Sequence, residues 1–211
     1  MPRLRRCGRH AALVDVNDLE QVLDLHAELR RHTPAGVVEM VPAARTLLLR
    51  FDPARTTFDR LATDVAALAG GADPGTARAA GDTRAPVTVP VRYDGEDLAE
   101  LAREVGMPPG EVVRRHTAGE YVVAFCGFAP GFGYLAGLDP ALHVPRRAEP
   151  RTRVPAGAVA VADRYTGVYP RPSPGGWRII GHTELAVWQP DRDPPALLLP
   201  GTRVRFAEVA P

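Results

Sequence analysis

The chain has 211 residues, 45% of them apolar, with 26 basic against 25 acidic side chains for a net charge of +1. That is the composition of one large or two small globular domains, and it argues against a general nucleic-acid binder. All 26 bases are arginines, which excludes a Walker-type phosphate loop and Schiff-base chemistry, while two cysteines outside any metal-type cluster, Cys7 and Cys126, speak against a disulfide framework or a zinc site.

The Arg-rich start lacks the apolar stretch of a signal peptide, and no apolar run reaches the roughly 18 residues of a membrane span, so a cytoplasmic protein is expected. Leu4–Cys7 and His10–Val16 read as strands that pair across Gly8. Asn17 with Glu20 forms a capping box ahead of a helix whose apolar face is Leu19, Val22, Leu23 and Leu29. Gly36–Val41 and Thr46–Phe51 form a hairpin. Thr56 with Asp59 opens a second helix through Phe58, Leu61, Ala62, Val65 and Leu68, which stops at Gly70 and Gly71. The order β-β-α-β-β-α predicts a four-stranded sheet covered on one face by two helices.

Residues Gly70–Pro86 are small, polar and without apolar periodicity, and read as a linker. Five prolines lie in residues 1–85 and seventeen in residues 86–211. The expected domains are residues 1–85 and 86–211. The second opens with strand Val87–Tyr93, then a short helix on Leu98, Leu101, Ala102 and Val105 closed by Gly106. Another helix runs from Pro108 and Pro109 to about His116. Short strands are expected at Tyr121–Cys126, Ala158–Ala162, Arg178–Gly181, Leu185–Trp188 and Arg203–Glu208. Pro/Gly-rich loops separate them, the pattern of a barrel or sandwich.

Three segments carry candidate chemistry. "GFAPGFGYL", Gly127–Leu135, is too rich in glycine and rings for a regular element. It either walls a pocket or plugs the end of the barrel. "PRRAEPRTR", Pro145–Arg153, sets four arginines against Glu149. It either grips a carboxylate or phosphate or faces water. "SPGGW", Ser173–Trp177, either delivers a core Trp from a hairpin or offers backbone N–H groups to an anion. His116 ends a predicted helix and is a candidate acid or base. No metal site is expected.

These motifs resemble the allophanate hydrolase subunit 1 family, which is also the family of B-type 5-oxoprolinase subunits and of the kinase A inhibitor. The resemblance rests on "VPVRYDGEDLAELA" from Val89, on His116, on "GFAPGFGYLAGLD" from Gly127 and on "PRRAEPRTRVPAGAVAVA" from Pro145. "TGVYPRPSPGGWRIIGHT" from Thr166 and "LLLPGTRVRF" from Leu197 complete it. It implies an α+β protein: a small N-terminal α/β sandwich followed by a cyclophilin-like β-barrel. It implies the B-type subunit of a multi-subunit ATP-dependent 5-oxoprolinase, inactive alone, that opens 5-oxo-L-proline to L-glutamate. The implied partners are a homologous subunit 2, the C-type subunit, and a third ring-opening subunit. ATP, with Mg, is used by the complex. Subunit 1 of an allophanate hydrolase and a regulatory inhibitor of a sensor histidine kinase are the rival readings. By match to family positions, His116, Arg147 and Arg153 are the expected catalytic set, and Phe132, Tyr134, Thr166, Tyr169 and Trp177 the expected substrate-binding set. The chain departs from the family pattern at Gly8-Arg9 and at Asp163-Arg164-Tyr165.

Overall fold

A computed structural model describes residues 2–71 and 85–209, so most of the expected linker lies outside the described residues. The chain divides into two compact units, Met1–Gly81 and Asp82–Pro211.

In the first unit, β1 (Arg3–Arg6), β2 (Ala11–Asp15), β3 (Val37–Pro42) and β4 (Thr46–Phe51) form an antiparallel sheet in the order β1-β2-β4-β3. Period-2 alternation sends Ala12, Val14, Leu47, Leu49 and Phe51 into one core with Leu25 and Leu29 of α1 (Leu19–Arg31) and Leu61 and Val65 of α2 (Phe58–Gly71). Both helix starts sit one residue later than expected. Asp18, not Asn17, caps α1 and accepts from the Gln21 backbone N–H at 2.9 Å. Thr57, not Thr56, accepts from the Arg60 N–H at 3.3 Å. Thr56 is instead buried. Adjacent Asn and Asp, or two adjacent Thr, are chemically equivalent caps, so packing decides which one takes the extended backbone. Leu25 replaces Leu23 in the buried face, and α2 continues through both glycines.

The second unit is a seven-stranded sheet in the order β12-β9-β10-β7-β6-β13-β5. Its strands are β5 (Val87–Val91), β6 (Tyr121–Cys126), β7 (Gly133–Ala136), β9 (Ala158–Ala162), β10 (Tyr165–Val168), β12 (Arg178–His182) and β13 (Arg203–Glu208). All neighbours are antiparallel except β13 and β5. The edges meet where Arg92 and His182 exchange backbone hydrogen bonds of 2.9 and 2.8 Å, which nearly closes the barrel. Closure removes the unpaired edge that an open sheet would expose. A side ribbon pairs β8 (Arg151–Val154) with β11 (Ser173–Gly175). Helices α3 (Leu98–Glu104) and α4 (Pro109–Ala118) lie between β5 and β6 in the chain, and Leu101, Ala102 and Val112 enter the core.

Four strands were not read from the sequence: β7 inside the aromatic segment, β8 inside the arginine segment, β10, and β11 inside "SPGGW". Conversely, Leu185–Trp188 is not a strand. Trp188 makes one isolated bridge, to Ala196. Two backbone bonds cross there, Gln189 N–H to Pro195 O at 3.0 Å and Leu197 N–H to Val187 O at 2.9 Å, and Arg192 adds donations to the carbonyls of Ala186, Val187 and Pro195 at 3.2, 3.3 and 2.8 Å. No helix of the described residues is long and apolar enough to cross a membrane.

Candidate functional site

The aromatic segment folds as two nested turns. Ala129 N–H donates to Gly127 O at 2.7 Å, a γ-turn with Phe128 at its centre and φ of 66°. Such a conformation costs a bulky residue on the order of 1–3 kcal/mol. Ala129-Pro130-Gly131-Phe132 then closes through Phe132 N–H to Ala129 O at 3.0 Å, with Gly131 at φ 81°. Pro then Gly at the two central positions is what a type II turn demands. A Cβ on Gly131 would lie 2.6 Å from Trp188 Cβ, so glycine is required twice over. The loop therefore holds its rings on a stiff frame.

Those rings join others from distant strands. Phe132, Tyr134 and Trp177 contact one another edge-on at 5.1 to 5.4 Å between centroids. Tyr169 meets Phe132 at 5.2 Å. Phe125 stacks on Tyr134 at 4.4 Å, and Tyr165 stands edge-on to both. Each such pair adds about 0.5–1.5 kcal/mol beyond its area. Phe132, Tyr169 and Trp177 are buried; Tyr134 and Tyr165 are half-buried, and Phe128 is 59% exposed. Tyr169 Oη accepts from the Trp177 backbone N–H and sits where a side chain on Gly175 would have to be. Burial raises the Tyr134 phenol, partly opposed by the charge of Arg146. Four of the five expected substrate-binding residues thus form one cluster.

The fifth, Thr166, lies with His116 in a separate network. His116 is wholly buried at the end of α4 against Tyr93, Tyr121 and Phe206. The Thr166 hydroxyl spends its proton on Ala160 O at 3.1 Å, so it accepts from His116 Nε2–H at 2.9 Å. Nδ1 then accepts from Tyr93 Oη–H at 2.7 Å. The chain of donors fixes one neutral tautomer. Burial pushes the His116 pKa down to about 3 and the Tyr93 phenol upward. His116 thereby ties α4 to β10 and to Tyr93, two residues past the end of β5.

The arginine segment is organised by a residue that sequence reading passed over. Asp97, 1% exposed, accepts four hydrogen bonds: from Arg147 Nη1 at 2.7 Å, from both Arg151 Nη atoms at 2.8 Å, and from the Ile179 backbone N–H at 2.7 Å. Burial opposes its ionisation. The Arg151 hydrogen bonds, the Ile179 N–H and both guanidinium charges outweigh that and hold its carboxyl below the usual range. Arg178 pairs with Glu100 and Glu104 at 2.5 and 3.0 Å. Arg153, two residues further along β8, is exposed and makes no ion pair among the described residues. An Asp just before an apolar helix reads locally as a cap. Asp97 makes no such bond, because its carboxylate is committed to partners 50 to 82 residues away. Phe125 and Tyr165 were likewise not assigned to the site.

Two small open cavities lie elsewhere. One, of about 230 Å³, is lined by Arg114, Arg115, Gly137 and Asp139. The other, of about 200 Å³, is lined by Val87, Arg192, Leu197 and Arg203. Neither touches the ring cluster.

Residues 2–198 match the model of the family described as carboxyltransferase domain, subdomain C and D. The chain is 52% identical over 123 residues to the B-type 5-oxoprolinase subunit of Escherichia coli O157:H7, covering 57% of this chain and 56% of that protein. It is 46% identical over 127 residues to the protein of the same name in Bacillus subtilis strain 168, covering 59% and 53%. The match thus spans about half the length of these curated relatives. The crystal structure of TTHA0988 superposes with a TM-score of 0.76 at 39% identity, over 96% of this chain and 40% of that one. With the barrel, the ring cluster and nearly the whole length accounted for, the chain belongs to the carboxyltransferase-domain family of subdomains C and D, the family to which its motifs pointed.

Proposed function

We propose that this chain is the B-type subunit of a multi-subunit, ATP-dependent 5-oxoprolinase that opens 5-oxo-L-proline to L-glutamate together with a homologous C-type subunit and a third, ring-opening subunit. The observation that carries this reading is the 52% identity to a 5-oxoprolinase subunit of the B type. That match supports a hydrolase-complex subunit ahead of the allophanate and kinase-inhibitor readings.

The proposed roles follow the geometry. Arg153, exposed and without an ion pair among the described residues, offers its guanidinium fork to a carboxylate or phosphate. Arg147 is neutralised by Asp97 and acts as a positioning residue that ties its loop to α3. His116, enclosed and neutral, sets the distance between walls rather than exchanging protons with substrate. Phe132, Tyr134, Tyr169 and Trp177 supply a stiff apolar floor, and Thr166 anchors β10 beneath it.

There is no lysine, and the two best-placed arginines of the Pro145–Arg153 segment are held by Asp97. In this reading ATP and Mg serve the assembled complex. The test is glutamate release from 5-oxoproline and ATP by the co-purified subunits, with and without this chain. Release that depends on the chain is expected. A stable complex with no such release overturns the substrate and brings allophanate forward.

A further inference from the structure

We infer that the cavity beside the start of β5 binds a small organic carboxylate with an apolar body, at a site that does not touch the ring cluster and does not depend on the oxoprolinase reading. The cavity holds about 200 Å³, and its lining sets Val87, Leu197 and Leu199 beside Arg192 and Arg203, with no acid. A recess with apolar walls and charge of one sign concentrates the field inside it. The cavity beside Arg114 and Arg115 is the contrasting case. There Glu111 and Asp139 pair with the two arginines at 2.6 to 2.9 Å, so the charges cancel.

The two guanidinium groups divide the work. Arg192 donates to the carbonyls of Ala186, Val187, Pro194 and Pro195 at 2.8 to 3.3 Å. Those acceptors are neutral, so its donors are spent while its charge remains. Asp191 and Asp193 flank it in the chain, but both are exposed, neither lines the cavity, and neither forms an ion pair with it among the described residues. Arg203 opens β13, is exposed, and has no ion pair or side-chain hydrogen bond among the described residues. It brings the fork that a carboxylate accepts from.

The apolar wall is already in place. Thr202 N–H donates to Leu199 O at 2.9 Å, with Gly201 at φ 90°, and Pro200 then Gly201 suit the centre of a type II turn. The Thr202 hydroxyl accepts from Leu199 N–H at 3.2 Å. Leu199 is 41% exposed, yet its backbone is tied at both its N–H and its carbonyl, so little ordering remains to be done on binding. The chemistry of the ligand follows by elimination. A cation is repelled. A neutral apolar molecule strips water from Arg203 and returns no acceptor, and a phosphate lays several oxygens against alkyl walls that offer no donor. The volume lies below the roughly 300 Å³ at which sites for drug-sized ligands begin, so the body is a few carbons long rather than a nucleotide or a long acyl chain.

The test titrates the isotope-labelled full chain with hexanoate and follows the backbone amide shifts. Saturable shifts centred on Leu197, Leu199, Thr202 and Arg203 are expected. Hexanamide, which lacks the charge, and acetate, which lacks the body, should each bind at least about 10-fold more weakly. Arg203→Gln should weaken hexanoate by about 10-fold or more at an unchanged thermal midpoint, and bring it level with hexanamide. Arg205→Gln, on the same strand but paired with Glu120, should leave hexanoate within about 2-fold of wild type, because exposed charge outside the cavity is screened. Absence of saturable hexanoate binding overturns the inference, as does hexanamide binding equally well or Arg203→Gln binding like wild type. A groove that takes an acetylated Leu-Glu-Leu peptide but not hexanoate also overturns it, and makes the surface a protein's.

Discussion

Replacing Asp97 by Asn tests the network that organises the arginine segment. The substitution keeps the shape and leaves an amide oxygen for the Ile179 N–H, but it removes the charge that Arg147 and Arg151 share. Breaking a buried ion pair from one side costs about 3–5 kcal/mol. Arg147 and Arg151 retain 28% and 19% side-chain exposure, so water recovers part of that loss, and about 2–4 kcal/mol is expected. For a unit of this size the thermal midpoint falls by roughly 10 °C. Urea unfolding at pH 7 measures the difference, with an unchanged m-value as the check that both states are comparable. The pH dependence supplies the sign. The folded-state pKa of Asp97 lies below its unfolded value, so its contribution is present above the unfolded carboxylate range and disappears as pH falls through the folded pKa. The gap between wild type and variant therefore closes in acid. Asp97→Asn within 1 kcal/mol of wild type at pH 7, or a gap that persists once wild-type Asp97 is protonated, would refute the reasoning, with ~1 kcal/mol being the scale of an ordinary substitution.

His116 titrates near 3 when folded and near 6.5 when unfolded. Its stabilisation is complete above 6.5 and is lost as pH falls, by about 2 kcal/mol between pH 6.5 and 5. His116→Gln should flatten that slope in urea titrations at the two pH values, and an unchanged slope would assign it elsewhere. Gly131→Ala meets both a positive φ and Trp188, whereas Gly106→Ala meets a positive φ with nothing within 4 Å. The first is expected to cost about 2–4 kcal/mol and the second about 1 kcal/mol, read from thermal midpoints. Arg153→Ala is expected to leave the midpoint within 1–2 °C, since exposed substitutions change stability by about 0.5 kcal/mol or less. It should lower glutamate release by the assembled enzyme about 10-fold or more, the worth of one charge-assisted hydrogen bond. Wild-type turnover would remove it from the site.

Legibility followed the range of the interactions. The first unit was readable because its signals are local: period 2 in β2 and β4, period 3.6 in α1 and α2, and polar caps between them. Strands β5, β6, β9 and β13 were readable for the same reason, since Val87, Val89 and Val91 or Tyr121 and Val123 alternate. Strands β7, β8, β10 and β11 were not. They are three or four residues long, and Gly133, Pro174 and Gly175 carry no strand preference. Partners supply what propensity does not: Cys126 opposite Gly133, Val154 opposite Ser173.

By itself the sequence determined the α+β class, the two-part organisation of local signals, the family, and the residue types available for chemistry, arginine without lysine above all. Composition and short-range periodicity suffice for these. The tertiary structure alone decided what those residues do. It enclosed His116 with one tautomer, gave Arg147 to Asp97 while leaving Arg153 exposed with no ion pair among the described residues, gathered rings from β6, β7, β10 and the loops into one cluster, and left Phe128 at its exposed edge. Each outcome depends on which distant groups share a low-dielectric interior and which face water, and burial and pairing of that kind exist only once the barrel has closed.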